Sequence, residues 1–148
     1  MNIIEAVKST LSEYPKIKEF CSTIDLNYAD SKNSSAGLFP TGDSLIKEDI
    51  LGNQLRRHNF MLYAKNQSFS NFDRLANSSF LLDLGYWLEQ RANIPITVNI
   101  GNVEKKGAIK SIGCNNAMLY NVASGNTENG VEYQLQIHAE YSVESEDN

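Results

Sequence analysis

The chain has 148 residues, of which 41% are hydrophobic, so it has room for one domain with one core. Its formal charge of −5 and a pI near 5.0 leave no basic field to attract phosphates, which argues against nucleic acid and anionic membrane surfaces as direct ligands. No apolar run approaches the roughly 20 residues of a membrane span, and residues 1–5 lack the basic start of a signal peptide, so we expect synthesis in a cytoplasm.

The first part of the chain predicts a short helix followed by extended segments. Apolar side chains recur at helical spacing over residues 3–14, and Pro15 predicts that this helix ends before it. Residues 24–28 alternate in polarity, which predicts a strand, and residues 30–35 form a polar loop. An extended segment resumes at residues 38–40.

A turn-like sequence and two strand-like segments come next. Residues 41–44, Thr-Gly-Asp-Ser, have the composition of a turn. Residues 45–51 fit either a strand or a helix, and we predict a strand. Residues 55–64 alternate more regularly and predict a strand with one apolar face. The basic residues beside His58 predict that this end of the strand lies in solvent.

The longest predicted helix follows this strand. Ser70 and Asp73 resemble a capping arrangement, because a serine oxygen accepts from free amides and an acid suits the first turn of a helix. The helix should end near Arg91. We expect Gly85 to permit close packing and Trp87 to be mostly buried. One apolar stripe along the helix must lie on a sheet: Phe72, Leu75, Ala76, Phe80, Leu84, Trp87 and Leu88.

After the helix the chain predicts short strands. Residues 96–100 form an extended piece, and residues 101–107 are loop-like. Residues 108–112 and 117–122 predict one strand that a bend or bulge interrupts at residues 113–116.

The longest alternating segment closes the fold. Residues 131–143 place apolar side chains on one face and polar side chains on the other, and the turn-forming residues 124–130 join them to the preceding strand as an antiparallel hairpin. At about 3.4 Å per residue this strand would run on the order of 40 Å, longer than one small domain covers. We therefore interpret it as a strand that extends beyond its own domain toward a partner. Residues 144–148 predict an acidic, frayed tail.

Together these elements predict an α+β fold. We expect a single domain over residues 1–143, in which an antiparallel or mixed β-sheet is packed by a long central helix and an N-terminal helix and ends in a long C-terminal β-hairpin. The central helix should lie across a sheet that contains residues 55–64 and that hairpin.

No group of residues predicts catalysis, a cofactor or a metal site. A nucleophile needs a base within reach, and the only histidines are His58 and His138 on separate strands, which could meet across a sheet. No acid and third ligand stand at the spacings of zinc sites, and Gly101 opens no phosphate-binding glycine motif. We expect both histidines to be solvated or interface residues. Cys21 and Cys114 are most simply reduced thiols, although a disulfide between them stays open.

Two segments carry a resemblance to a known family. The first is Leu-Arg-Arg-His-Asn-Phe-Met-Leu-Tyr-Ala at residues 55–64, followed by Asn77-Ser78-Ser79-Phe80 and Trp87-Leu88-Glu89-Gln90, with Pro95 shortly after. The second runs from Ile109 through Met118-Leu119-Tyr120 to Tyr133-Gln134-Leu135-Gln136-Ile137. From about Leu38 to the last strand the chain resembles the small minor capsid proteins of Gram-positive tailed phages. Its Asn-rich loops and residues 96–106 depart from that family.

The resemblance implies a structural protein of the virion. Such proteins are similar to tail terminator or tail completion proteins, which form rings, commonly hexameric, between the tail tube and the head connector. The chain would then be made in the bacterial host cytoplasm, assemble with itself and with tail-tube and head-connector proteins, and perform no catalysis. An acidic or neutral ring lining would also let DNA slide rather than bind. We expect contacts with neighbouring subunits at Gln134, Gln136, His138, Ser124, Gly125 and Gly130.

Two other functions stay open from the sequence. The first is a soluble adaptor or inhibitor domain that binds a single protein partner through the polar face of the last strand, and such a domain would be monomeric or dimeric alone. The second is a small enzyme that uses His58 or His138.

Overall fold

A computed structural model describes residues 1–20, 23–27, 35–66, 71–122 and 131–145. In these ranges the chain forms a mixed α+β domain whose helices pack with a curled, six-stranded sheet. The elements in chain order are α1 (Ile3–Ser12), α2 (Ile17–Phe20), β1 (Thr23–Leu26), β2 (Ser35–Glu48), β3 (Gln54–Asn66), α3 (Asn71–Glu89), β4 (Ile94–Ile100), β5 (Val103–Val122) and β6 (Val131–Val143). Ser70 and residues 124–130 lie outside the described ranges, so the cap of α3 and the turn before β6 stay predictions.

The strand order in the sheet is β1-β2-β3-β6-β5-β4. Only β1 and β2 pair in parallel, and the other neighbours are antiparallel. The last strand in sequence is therefore inserted between β3 and β5, in the middle of the sheet.

The central position of β6 corrects our interpretation of its length. Every residue of Val131–Val143 pairs with β3, and β5 pairs along the other side from Val131 to Val143. Both edges of this strand are thus occupied within the molecule, and two neighbouring strands that are at least as long explain its length. The interpretation failed because alternation reports which faces are buried, which is the same for an edge strand and a central one.

The outer edges of the sheet are β1 and β4. On β4 the amide of Thr97 donates a hydrogen bond of 2.8 Å to the carbonyl oxygen of Met1. The first residue of the chain therefore covers part of this edge, which leaves fewer free backbone groups for pairing with another sheet.

The predicted turn at residues 41–44 is wrong, because β2 continues through it. The chain accommodates Gly42, at φ 154°, with a bulge between Pro40 and Gly42. The real turn follows Glu48, where the Oδ1 atom of Asp49 accepts hydrogen bonds of 2.9 Å from the amides of Leu51 and Asn53. Residues 45–48 are strand, as predicted, and the remainder of that segment belongs to the turn.

The loop predicted at residues 101–107 is also shorter than expected. Gly101 and Asn102 alone make the turn, with φ angles of 59° and 64°, and β5 begins at Val103. Two consecutive positive φ angles suit the twist of a tight hairpin, so the charged residues that follow can already pair with β4. The strand then runs to Val122 with a register shift between Asn115 and Met118, which confirms one strand with an irregularity near residues 113–116.

The core lies between one face of the sheet and the helices α1 and α3. Fully buried residues of α1, of α3 and of alternate positions on β3 and β6 meet there: Val7, Leu11, Leu84, Leu88, Phe60, Leu62, Leu135 and Ile137. Tyr14 joins the two helices, because its ring lies 5.5 Å from that of Phe80 and 5.2 Å from that of Trp87. Trp87 itself is partly buried.

The domain extends beyond residue 143, where we predicted that it ends. The amide of Glu144 donates to the carbonyl oxygen of Lys106 at 2.8 Å, and the amide of Ser145 donates to Oδ1 of Asn53 at 2.9 Å. These two residues therefore belong to the domain rather than to a frayed tail, and residues 146–148 lie outside the described part.

The fluorescence of Trp87, the only tryptophan, should peak at a shorter wavelength than that of free tryptophan. Its ring is partly buried between Tyr14 and Arg91, whose guanidinium carbon lies 4.5 Å from the ring centroid. Urea unfolding should move the emission to longer wavelength. A native protein that already emits like free tryptophan would contradict the packing of α3 beside α1.

Candidate protein interface on the open face of the sheet

The two faces of β6 differ as the alternation predicts. Tyr133, Leu135, Ile137, Ala139, Tyr141 and Val143 are buried, whereas Glu132, Gln134, Gln136, His138, Glu140 and Ser142 are only partly buried. We call the side of the sheet that carries the second set the open face. It is opposite the side on which the core lies.

The open face contains a polar cavity of about 450 Å³. Four neighbouring strands contribute side chains to it: Thr41 from β2, Arg57, Asn59 and Met61 from β3, Gln136 and His138 from β6, and Asn115 from β5. Amide and imidazole groups therefore dominate this surface, and such groups both donate and accept hydrogen bonds. The arrangement suits a protein or peptide partner that presents backbone or polar side chains.

His138 lies directly over the backbone of Gly113 on the adjacent strand. The two residues are paired in register, and a Cβ atom on Gly113 would come within 2.5 Å of the Nε2 atom of His138. The missing side chain is what makes room for the ring. Partial burial, together with the positive charge of Arg57, lowers the pKa of His138, although Glu140 and Glu89 act in the opposite direction. His138 is consequently neutral at pH 7 and able to accept a hydrogen bond.

Arg57 and Glu140 form an ion pair at the side of this cavity. The distance from Nη2 of Arg57 to Oε1 of Glu140 is 2.7 Å, and both side chains are partly exposed. Such a pair contributes only about 0.2–1 kcal/mol to stability. Its main effect here is to balance the two charges, so that the centre of the open face is close to neutral.

The predicted interface residues divide into two groups. Gln134, Gln136 and His138 lie side by side on the open face, at alternate positions of one strand. Ser124, Gly125 and Gly130 lie outside the described residues, so their placement stays a prediction.

The position of His58 shows that the predicted exposure of this end of β3 is wrong. It is 8% exposed on the core side, and its ring stacks on Phe60 with centroids 4.5 Å apart. Its Nδ1 atom lies 3.0 Å from the carbonyl oxygen of Asn59. Because β3 and β6 are in register, His58 pairs with Ala139 and His138 pairs with Asn59, so the two histidines face opposite sides of the sheet. They cannot meet in one site.

Other chemistry is sparse in the part of the chain that the structure describes. Within those ranges no three His, Cys, Asp or Glu side chains stand close enough together to hold a metal ion. Burial raises the pKa of the Cys114 thiol to about 12, so the thiol is protonated at neutral pH. Cys21 lies outside the described residues, and its pairing with Cys114 stays open. No helix in the described ranges has the length and hydrophobicity to cross a membrane.

Sequence reasoning missed the partners of Gln136 and His138 in the cavity. Arg57 and Asn59 belong to the strand predicted at residues 55–64, but nothing local in the sequence indicated that this strand, β3, lies beside β6. A long-range pairing of this kind leaves no periodic signal in either strand.

The lowered pKa of His138 makes protein stability depend on pH. A group that binds its proton more weakly in the folded state than in the unfolded state favours unfolding once the unfolded state becomes protonated, below about pH 6.5. The unfolding free energy should therefore fall between about pH 7.5 and about pH 5.5, and His138→Gln should reduce that fall. Urea unfolding of both proteins at the two pH values measures it. Equal pH dependence in the two proteins would show that His138 is not desolvated as described.

No family model matches this chain, and no curated protein matches it either. The phage family suggested by the sequence therefore enters below as a proposal.

Proposed function

We propose that this protein is a structural component of the head–tail joint of a tailed phage, and that it acts as one subunit of a homo-oligomeric ring. In the ring it contacts the tail tube on one side and the head connector on the other, and it performs no catalysis. It is made in the host cytoplasm and ends in the virion. The observation that carries the proposal is the resemblance from about Leu38 to the last strand, on the segments quoted above.

The finer architecture in this proposal follows the same family. In this proposal α3 is the long central helix, and β5 and β6 are the two strands of the long C-terminal hairpin. Ser124, Gly125 and Gly130 are proposed to contact a neighbouring subunit.

The open face supports a role in protein contacts. The central part of protein interfaces is generally depleted in charged residues, and the polar cavity around Gln136 and His138 combines uncharged amides with one balanced ion pair. Gln134, Gln136 and His138 would form hydrogen bonds with the next subunit across this face. Because both edges of β6 are paired, the contact uses side chains rather than addition of a strand.

The charge of the chain supports the same assignment. A formal charge of −5 per subunit gives an assembled ring an acidic character. DNA that passes through such a ring is repelled rather than held, which suits a channel between head and tail.

Removal of the gene from its phage tests this function. Electron micrographs of lysates should show filled heads and complete tails that are not joined, and expression of the protein in trans should restore joined particles. Normal particles in the absence of the protein would contradict the proposal.

A soluble adaptor domain is the second candidate, and the cavity of about 450 Å³ on the open face is the observation that favours it. Such a protein would bind one partner as a monomer or dimer and would be missing from purified particles. Unimpaired particle assembly without the gene therefore favours the adaptor over the ring subunit.

A further inference from the structure

Another polar cavity, of about 330 Å³, lies on the helix side of the sheet, away from the open face. The end of α1 contributes Ser9 and Glu13 to its lining, and the segment that follows α3 contributes Gln90 and Arg91. Arg91 and Glu13 are the charged side chains that the described residues contribute to this cavity.

The guanidinium group of Arg91 is held in place but is not neutralised. Its Cζ atom lies 4.5 Å from the centroid of the Trp87 ring, which is a contact between a cation and an aromatic face. Arg56 and Arg57 each pair with a carboxylate, whereas no described carboxylate pairs with Arg91. The Nε atom of Arg91 is buried and has no hydrogen-bond partner among the described residues. Such donors are rare in native proteins, and a bound anion is one explanation of them.

The ends of the two helices favour a positive charge in the same cavity. Both α1 and α3 end next to it, and neither helix has a basic residue in its last turn. The partial negative charge of the two helix C-termini is therefore not balanced by side chains of those turns. The exposed carboxylate of Glu13, directly after α1, adds a full negative charge. Glu13 and Arg91 line one cavity, yet they form no ion pair with each other.

The size and the remaining lining of the cavity limit the ligand to a small molecule. A water molecule takes up about 30 Å³ in the liquid, so the cavity holds about ten non-hydrogen atoms. Its volume is at the lower end of the range of ligand pockets, which begins at about 300 Å³. Ser9 and Gln90 supply uncharged hydrogen-bonding groups, and Ala6 and Ile94 supply apolar surface. The cavity therefore suits a compact ligand that carries both charges and a short apolar part.

We propose that this cavity binds a small zwitterion of the amino-acid class. The carboxylate of the ligand pairs with the guanidinium of Arg91, and its ammonium group pairs with Glu13 and with the carbonyl ends of the two helices. A ligand with a carboxylate alone would place a second negative charge next to Glu13, and a ligand with an amine alone would leave Arg91 unpaired. The site does not depend on ring assembly, because the residues that form it are not on the open face.

The emission of Trp87 reports binding, because Arg91 contacts its ring and the chain has one tryptophan. The purified protein is titrated with the common L-amino acids, one at a time. At least one of them should change the emission in a saturable way and raise the melting temperature of the protein.

Partial ligands test whether both charges are used. Each amino acid that binds is compared with the matching acid that lacks the amine and the matching amine that lacks the carboxylate; for alanine these are propionate and ethylamine. The acid should bind at least about threefold and the amine at least about tenfold more weakly than the amino acid, because each loses one pairing.

Substitutions of the two charged residues test their separate roles by titration calorimetry, which does not depend on the emission of Trp87. Arg91→Gln should weaken binding of the amino acid at least about tenfold. Glu13→Gln should weaken it about two- to fivefold, because the carboxylate is exposed. Lys16→Gln and Glu104→Gln are the matched controls, since they remove the same charges from exposed positions outside the cavity and should bind like the original protein.

Three results would overturn the proposal. The first is that no common amino acid changes the emission of Trp87 or the melting temperature. The second is that the matching acid binds as tightly as the amino acid, which would show a site for anions alone. The third is normal binding by Arg91→Gln, once circular dichroism shows that it is folded. If Arg91→Gln does not fold, normal binding by Glu13→Gln, whose side chain is exposed, overturns the proposal instead.

Discussion

Gly107→Ala is expected to lower the unfolding free energy by about 3 kcal/mol, at the upper end of the cost of overpacking. A Cβ atom at this position would overlap the carbonyl oxygen of Ser142 and lie 3.3 Å from Cγ1 of Ile96. The carbonyl belongs to the backbone of β6, next to the pair that Gly107 forms with Val143, so it cannot move without opening the ladder. Urea unfolding followed by circular dichroism measures the loss.

Gly85→Ala in α3 is the matched control. The added Cβ would lie at an ordinary distance of 3.5 Å from Cβ of Cys114, and alanine is favoured over glycine inside a helix by about 0.5–1 kcal/mol. This variant should therefore be as stable as the original protein or slightly more stable. The sequence suggested a loop at residue 107, where alanine would be harmless, so unchanged stability of Gly107→Ala would refute the register of β5 against β6.

The double variant Gln134→Lys, Gln136→Lys is expected to fold normally and to lose head–tail joining completely. Both side chains are on the open face, opposite Tyr63 and Met61 of β3, and neither is in the core. Two new positive charges per subunit at a repeated interface would repel each other, and juxtaposed like charges cost several kcal/mol. Circular dichroism checks the fold, and complementation of a phage that lacks the gene measures joining.

A variant with the same added charge elsewhere controls for net charge. Ser12 and Gln90 are exposed at the ends of helices, on the other side of the sheet, and Ser12→Lys, Gln90→Lys adds two lysines there. It should still complement. Full complementation by the folded Gln134, Gln136 variant would show that the open face is not an interface.

The sequence predicted correctly which side chains of a strand are buried, but it did not predict which strands are adjacent in the sheet. Over residues 132–143 the alternation correctly separated buried from partly exposed positions, because side-chain direction in a strand is a local property. The location of β6 between β3 and β5 depends on contacts between residues far apart in the chain, and no periodicity encodes them. For the same reason, the sequence did not predict that Arg57 and Asn59 line one cavity with Gln136 and His138.

The errors at single sites have physical causes of their own. His58 is two residues before Phe60, so the two side chains are on the same face of β3, the face that packs on the core. Alternation alone would therefore have predicted a buried His58. Its basic neighbours suggested instead that it lies in solvent. Residues 41–44 have the composition of a turn. A strand with a bulge makes use of the same conformational freedom of glycine, and Gly42 is at the bulge of β2. Asp43 is needed there as an acceptor for Arg56 and Tyr141.

The number of copies in purified particles tests the central claim, that this chain is a ring subunit of the virion, most directly. Quantitative mass spectrometry of particles purified from the phage that encodes it should find the protein at a fixed ratio to the tail-tube and connector proteins. The ratio should correspond to a single ring per particle, a hexamer if the family resemblance extends to the ring size. Complete absence of the protein from joined, infectious particles would contradict the account.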